Sequence, residues 1–559
     1  MHIMTHIPKV RLLALLAMVF SLGCVAEVVP VRIAYNYCTL SYTFAYYSNA
    51  EWQREIDRLA ESGYNVALVT DGTFKVWQMT LRELGYPEEE IFAFIPDECA
   101  RAWWLMGNLT GEGGPLDQKT IDEDGERGRF ICDRMRGKGI EPILQGYVGM
   151  MPLGHKTAIP QGKWSCYERP PIIDPTSEEF ANVAEVWYRN LEKVYGFKPK
   201  YLAGDLFHEG GNTAGINVTA AIKSVQTAQQ KAFPKVTWVI QAWQSNPTAA
   251  VQAGLDARHT LIEVLVKDMS VFSKNDAKCE IKYHDLPWVW CEVLNFGGNH
   301  GLYGNLKTFA RLGRAAKGKG SKTFRGYGSL SEGFFTNPVC YALFEEMMMR
   351  PVGSEMTDSE LAEWLENWIE ERNGFSDPRL SEAWRILADT VYSCPRCQEG
   401  AVENVMCASP SWNADNASTW GPVGGLWYDA SELERAAKLL EECDAKYEDY
   451  ADVYRQCLAN RARALVPRLK DDRTARIDFL DLIRTESLML LDVPAFLCET
   501  YEKQARARAG DRGVMAFRRM ITTWANSKYG TTSLSDYANR EYAELLNSYY
   551  LPRWEMFLR

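Results

Sequence analysis

The chain has 559 residues, 46% hydrophobic and 24% charged, enough for two or three domains around a large core. Its formal net charge of −11 argues against nucleic acid as the main partner. Aromatic residues make up 12%, with 18 Trp, and flat rings suit both core packing and the apolar faces of sugars.

Lys9 and Arg11 precede an apolar run over 12–25, too short to span a bilayer comfortably, and small residues at Cys24-Val25-Ala26 precede Glu27. Residues 1–26 therefore read as a secretory signal. The mature protein is expected to be exported, as a periplasmic, secreted or lipid-anchored cell-surface form. Ser21-Leu22-Gly23-Cys24 loosely resembles a lipoprotein box, with Ser in place of the usual Leu. No later stretch is long and apolar enough for a membrane helix. Besides Cys24, thirteen of the 14 Cys remain, too scattered for a small disulfide scaffold. Cys394-Pro-Arg-Cys397 is the only CxxC. A zinc site would need a second pair or nearby His, so this pair reads as a local disulfide or two free thiols. No metal and no cofactor are expected.

From about 31 to 350, strand-like runs alternate with helix-like ones. The strands are expected at 31–38, 64–70, 141–147, 201–207, 236–243, 260–266, 288–294 and 324–330. Ser48 and Glu51 form a capping box for a helix with Trp52, Ile56, Leu59 and Ala60 on one face. Further amphipathic runs cover 180–194, 220–232 and 306–316. Eight buried strands with intervening helices predict a (β/α)8 barrel over 27–354; a doubly wound sheet is the alternative. Two long connections, 93–120 and 149–178, are of the kind that builds a binding face. After Arg350 the strands stop. Capping boxes at Thr357/Glu360 and Ser431/Glu434, with helical runs at 446–465, 473–506 and 512–526, predict an all-α domain over 355–559. A Trp- and Gly-rich loop over 408–429 carries Trp412, Trp420 and Trp427.

The stretch 201–211 reads YLAGDLFHEGG, a short buried strand that releases His208 and Glu209 into a Gly-Gly turn. Glu332 is set likewise past the eighth strand, in Gly326-Tyr-Gly-Ser-Leu-Ser-Glu-Gly333. Two carboxylates on the C-terminal lip of a β/α barrel are what glycoside hydrolysis requires: one protonates the leaving oxygen, the other attacks the anomeric carbon or activates water. Trp243 ends the fifth strand, where its ring would floor a sugar. His300, in the loop after the seventh strand, would bond a sugar hydroxyl or brace a Gly-rich turn.

The stretch Pro287-Trp-Val-Trp-Cys-Glu-Val-Leu-Asn-Phe-Gly-Gly-Asn-His-Gly-Leu-Tyr-Gly304 resembles the signature of the α-N-acetylglucosaminidases, glycoside hydrolase family 89. The resemblance extends to Asn36-Tyr-Cys-Thr-Leu-Ser-Tyr42, Met106-Gly-Asn-Leu109, Asp536-Tyr-Ala-Asn539 and Tyr549-Tyr-Leu-Pro-Arg-Trp554, so it covers nearly all of the chain after the signal. Family members usually carry a small α/β domain before the barrel; here the barrel motif starts at about residue 31, so that domain is expected to be absent. The resemblance implies a retaining exo-glycosidase for terminal α-linked N-acetylglucosamine on mucin-type or heparan-type glycans. It implies Glu209 as general acid/base, protonated for the first step, and Glu332 as nucleophile, roughly 5–5.5 Å apart. It also implies Asn36 and Cys38 in the sugar pocket, Cys38 being otherwise a structural thiol. Asn295 lies in the signature loop. Trp524 and Tyr537 would bring the helical domain to the pocket mouth or pack between the domains. The family usually has Asn before the acid/base, and here it is His208, whose charge depends on pH. That departure keeps open an exo-glycosidase for another terminal sugar. A silent carbohydrate-binding protein on the same scaffold is the other reading, against which the pair of Glu speaks.

Overall fold

The computed structural model describes residues 30–243, 246–265, 285–317, 321–334, 336–394, 404–414, 426–443, 445–522 and 539–559. The signal reading at 1–26 falls outside them, as do Cys397 and Trp420.

Eight parallel strands form a closed barrel: β1 (Val31–Ala34), β2 (Val66–Leu68), β3 (Glu141–Gln145), β4 (Tyr201–Ala203), β5 (Thr237–Ala242), β6 (Thr260–Leu265), β7 (Trp288–Glu292) and β8 (Phe324–Ser329). Each pairs with its sequence neighbours, and β1 closes on β8 with Val31 opposite Gly326 and Ile33 opposite Gly328. A side chain at Gly326, whose φ is 147°, would stand 1.9 Å from the Val31 carbonyl, so only glycine allows this closure. Strands covered on both faces read as continuous apolar runs, which is why they were visible in the sequence. Trp238, Trp288 and Trp290 are fully buried there.

The strands stop earlier than expected at their C-terminal ends. The first was expected to reach residue 38, yet Tyr35 turns left-handed (φ 73°) and Asn36 caps helix Tyr37–Tyr42. The Asn36 Oδ1 accepts from the Thr39 amide at 2.9 Å, while its Nδ2 donates to the Leu330 carbonyl at 2.7 Å, tying this turn to the end of β8. The fourth strand was expected to reach 207 and ends at Ala203, because Gly204 (φ 115°) breaks it.

The capping boxes at Ser48/Glu51 and Thr357/Glu360 are present, opening helices Asn49–Glu61 and Asp358–Asn373. At helix Ala430–Glu442 the cap is Asp429 rather than the expected Ser431; its carboxylate accepts from the Ser431 amide at 2.9 Å. The helical run expected over 473–506 is interrupted by Pro494, giving helix Arg473–Leu490 and helix Cys498–Ile521, and the latter is kinked at Gly510 (φ 60°), close to the break expected before 512. Likewise 306–316 divides into helix Leu306–Ala310 and a 3-10 turn.

Helix Cys498–Ile521 lies along the barrel mouth. Arg512 pairs with Asp97 and, at 2.9 Å, with Glu98; Arg519 pairs with Glu112 at 3.3 Å, and Arg508 donates to the Tyr47 carbonyl at 3.2 Å. The fully buried Arg455 pairs with Glu541 at 2.7 Å and donates to the His300 carbonyl. Paired and hydrogen-bonded in this way, buried guanidinium groups fix the register between the barrel loops and the helical domain.

Candidate active site

Beyond β4 the chain folds back on itself through Gly204, Phe207 (φ 61°), Gly210 (φ 103°) and Gly211 (φ 129°). A left-handed Phe is strained, and such strain gathers at functional sites. The turn delivers Glu209, half-buried, to the barrel mouth. Its Oε1 accepts from the Trp243 indole Nε1 at 3.0 Å, and its Oε2 from Asn108 Nδ2 at 2.6 Å. Arg169 supports both partners of that second bond. It donates to Asn108 Oδ1 at 2.9 Å, to the Gly107 carbonyl at 3.3 Å and to the backbone carbonyl of Glu209 at 2.8 Å. Asn108 and Arg169 come from the two long connections that the sequence marked as builders of a binding face.

Glu332 follows β8 and is buried. Its Oε2 accepts from the Gly297 amide at 2.6 Å, and Thr43 donates to its backbone carbonyl at 3.2 Å. Gly297 (φ 66°) and Asn295 (φ 48°) bend the signature loop so that this amide faces the carboxylate. The Phe296 ring stacks on Trp243 with centroids 5.8 Å apart, so the loop that holds Glu332 touches the indole that holds Glu209. Cys38 and Tyr42, one helical turn apart, sense both carboxylates. Burial first, then the charges of Glu332 and Glu209 and a hydrogen bond to Glu332, keep the Cys38 thiol protonated well above its usual range. Burial and the same two charges raise the Tyr42 phenol, with the Arg540 guanidinium over its ring at 5.1 Å opposing them. Glu209 and Glu332 follow β4 and β8, at the same C-terminal end of the barrel.

The remaining predicted residues are distributed as follows. His208 is buried next to Glu209, with Nδ1 3.4 Å from Asp205 Oδ2. Burial disfavours its charge, but the nearby carboxylates of Asp205 and Glu209 outweigh burial and Arg169, so its pKa is raised. Asn295 braces the loop: its Nδ2 donates to the Asn299 carbonyl at 2.8 Å and to Thr336 Oγ1 at 2.7 Å, and its Oδ1 accepts from the Tyr341 hydroxyl at 2.7 Å. The His300 ring packs edge-on against Phe496 and Tyr542, at 5.0 and 5.3 Å; burial, then Arg540 and Arg455, hold its pKa well below the usual value. Both His300 and Asn36 are thus engaged in structure. Trp524 and Tyr537 lie outside the described residues.

Sequence reasoning missed four contributors. Arg169 carries no signal of its own, and Asn108 and Gly297 lie in the resembling stretches 106–109 and 287–304 with no role until the fold brings them together. Tyr42 had one, its position four residues after Cys38. Its hydroxyl is buried and finds no hydrogen-bond partner among the described residues. Arg540, from the helical domain, donates to the Gly297 carbonyl at 2.6 Å and so supports the loop under Glu332. Another carboxyl at the barrel mouth, Glu292 on β7, bonds Ser331 at 2.8 Å and also Ser329; burial raises its pKa to about 7 in spite of those bonds.

Residues 32–351 match the α-N-acetylglucosaminidase (NAGLU) TIM-barrel domain, and residues 364–559 the α-N-acetylglucosaminidase (NAGLU) C-terminal domain. Human α-N-acetylglucosaminidase is 28% identical over 582 residues, covering 96% of this chain and 76% of the human protein. The family 89 glycoside hydrolase from Clostridium perfringens in complex with PUGNAc is 30% identical with a TM-score of 0.87, covering 95% of this chain and 63% of that one. A form of the clostridial enzyme with two glutamate-to-glutamine substitutions, in complex with its substrate GlcNAc-α-1,4-galactose, is 30% identical with a TM-score of 0.86 over 94% of this chain and 62% of that one. This chain thus spans less than two thirds of the clostridial chain.

Proposed function

Since the chain belongs to the α-N-acetylglucosaminidase family, glycoside hydrolase family 89, we propose that it is a retaining exo-glycosidase removing terminal, non-reducing α-linked N-acetylglucosamine from mucin-type or heparan-type glycans. The observation that carries this reading is the pair Glu209 and Glu332 past the C-terminal ends of β4 and β8, each carboxylate held by N–H donors and their two loops joined by the Phe296–Trp243 stack.

The stereochemistry of the substrate explains why two protein carboxylates are needed. The acetamido group of an α-linked sugar lies on the same face as the leaving oxygen and cannot displace it in line. Glu332 attacks C1 instead, forming a C1–O bond as the glycosidic bond breaks, while Glu209 gives its proton to the departing oxygen. The Gly297 N–H at 2.6 Å keeps Glu332 an acceptor oriented for attack. In the second step Glu209 takes a proton from water, whose oxygen attacks C1 and releases Glu332. The net result is hydrolysis with retention. His208 lies buried beside Glu209, next to the Asp205 carboxylate.

The apolar run over 12–25 supports export, with a mature chain starting at Glu27 or at a lipidated Cys24. No helix among the described residues is long and apolar enough to cross a membrane. N-terminal sequencing of the exported protein tests this; Met1 on the active protein would refute it.

A panel of aryl glycosides tests the activity. The α-N-acetylglucosaminide is expected to be cleaved, with the β-anomer and the α-glucoside poor. Comparable turnover of the β-anomer would refute the reading.

A further inference from the structure

The contacts around Glu209 settle more than its location. Both of its carboxylate oxygens face donors, the Trp243 indole on Oε1 and the Asn108 amide on Oε2. An indole nitrogen only donates. A primary amide is different, because rotation by half a turn exchanges its NH2 for its carbonyl. With the carbonyl toward Glu209, the carboxyl would have to carry its proton on Oε2 and donate it there, away from any substrate. Arg169 forbids that arrangement. Guanidinium only donates, and one of its nitrogens stands 2.9 Å from the far side of the Asn108 amide, so the carbonyl must face Arg169 and the NH2 must face Glu209. A second guanidinium nitrogen, 2.8 Å from the Glu209 backbone carbonyl, ties Arg169 to the residue whose side chain it orients at one remove. Arg169 is itself buried, and its donation to the Gly107 carbonyl at 3.3 Å limits its freedom.

We propose that Arg169 is a positioning residue for the acid/base. By locking the Asn108 amide, it keeps an N–H on Oε2 of Glu209 and prevents the carboxyl proton from being drawn into a bond to the Asn108 carbonyl, so that Glu209 is oriented by two N–H donors with its proton left for the substrate. The proton then passes from Glu209 to the glycosidic oxygen as the C1–O bond breaks, and that bond's electron pair stays with the departing oxygen. The inference rests on the acid/base reading of Glu209 and goes beyond it in naming the two side chains that orient its carboxyl.

The test compares Arg169→Met, Asn108→Leu, the double variant and Arg169→Lys in the full chain on two substrates. One is GlcNAc-α-1,4-galactose, whose leaving group needs a proton. The other is the dinitrophenyl α-N-acetylglucosaminide, whose leaving group does not. Each single variant is expected to lose on the order of 10–100-fold in kcat/KM on the disaccharide, and less than about threefold on the dinitrophenyl substrate. The double variant is expected to be no worse than the worse single one, since both act through one N–H···Oε2 bond. Arg169→Lys, which keeps a donor for the Asn108 carbonyl, is expected to recover part of the disaccharide rate. Equal losses on both substrates, or losses that multiply in the double variant, would overturn the inference while leaving the activity standing. A wild-type chain inactive on both would overturn the activity and this inference together. Should Arg169→Met fail to fold, the near-isosteric Asn108→Leu decides by the substrate contrast alone.

Discussion

Gly298→Ala probes the link between the helical domain and the nucleophile. Gly298 has φ 68°, and a Cβ there would stand 2.1 Å from one Arg540 guanidinium nitrogen and 2.6 Å from its central carbon. The left-handed backbone alone costs a non-glycine residue about 1–2 kcal/mol. The clash adds a displacement of Arg540, which donates to the Gly297 carbonyl at 2.6 Å; the amide of that same Gly297 donates to Glu332. A hydrogen bond to a charged group contributes about 1.5–3 kcal/mol, so losing it from Glu332 corresponds to roughly 10–100-fold in rate. The expected outcome is a fall of that size in kcat on the aryl α-N-acetylglucosaminide, with a melting temperature lowered by only a few degrees. Steady-state kinetics and a thermal melt on the same preparation measure both. Unchanged kcat in a folded variant would refute the claim that Arg540 supports the nucleophile through Gly297.

Two further outcomes are expected. Tyr42→Phe removes a buried hydroxyl that has no partner among the described residues, so stability should hold or rise while kcat/KM falls about tenfold; unchanged kcat/KM would mean the hydroxyl serves no substrate. Glu263 is buried on β6 near Asp205, and burial first, then that charge, raise its pKa from 4.5 to about 8. A carboxyl raised on folding stabilises fully below its unfolded value, and the advantage is lost as pH rises through the folded value, here between about 4.5 and 8. Denaturant titrations of Glu263→Gln should therefore match wild type near pH 5 and exceed it by on the order of a few kcal/mol near pH 9; parallel pH curves would contradict this.

The barrel was legible because its strands are buried on both faces and stand out as apolar runs, and Glu209 and Glu332 because each is followed by glycine on the C-terminal lip. The strand ends were not. Tyr35 and Phe207 adopt left-handed backbone without being glycine, and nothing in their chemistry announces it. Asp429 was passed over because Ser431 and Glu434 fit a capping box, although Asp caps a helix as well as Ser does. Pro494 was a readable stop that the long apolar run disguised. Arg169 was beyond reach, and Asn108 was marked only by the resemblance at Met106–Leu109, with no role attached. They are 61 residues apart, in separate connections, and only the closed barrel brings them together over Glu209. Asn36 and Asn295 sit in the right loops, yet the hydrogen bonds of their side chains go to caps and braces.

The division of labour between the two glutamates is tested most directly by the anomer of the azide product. With Glu209→Ala on the dinitrophenyl α-N-acetylglucosaminide, azide should attack the covalent intermediate from the vacated side and give the α-glycosyl azide, seen by proton NMR. With Glu332→Ala, azide should take the place of the nucleophile and give the β-azide from the same substrate. The same anomer from both variants would contradict the assignment of Glu332 as nucleophile and Glu209 as acid/base.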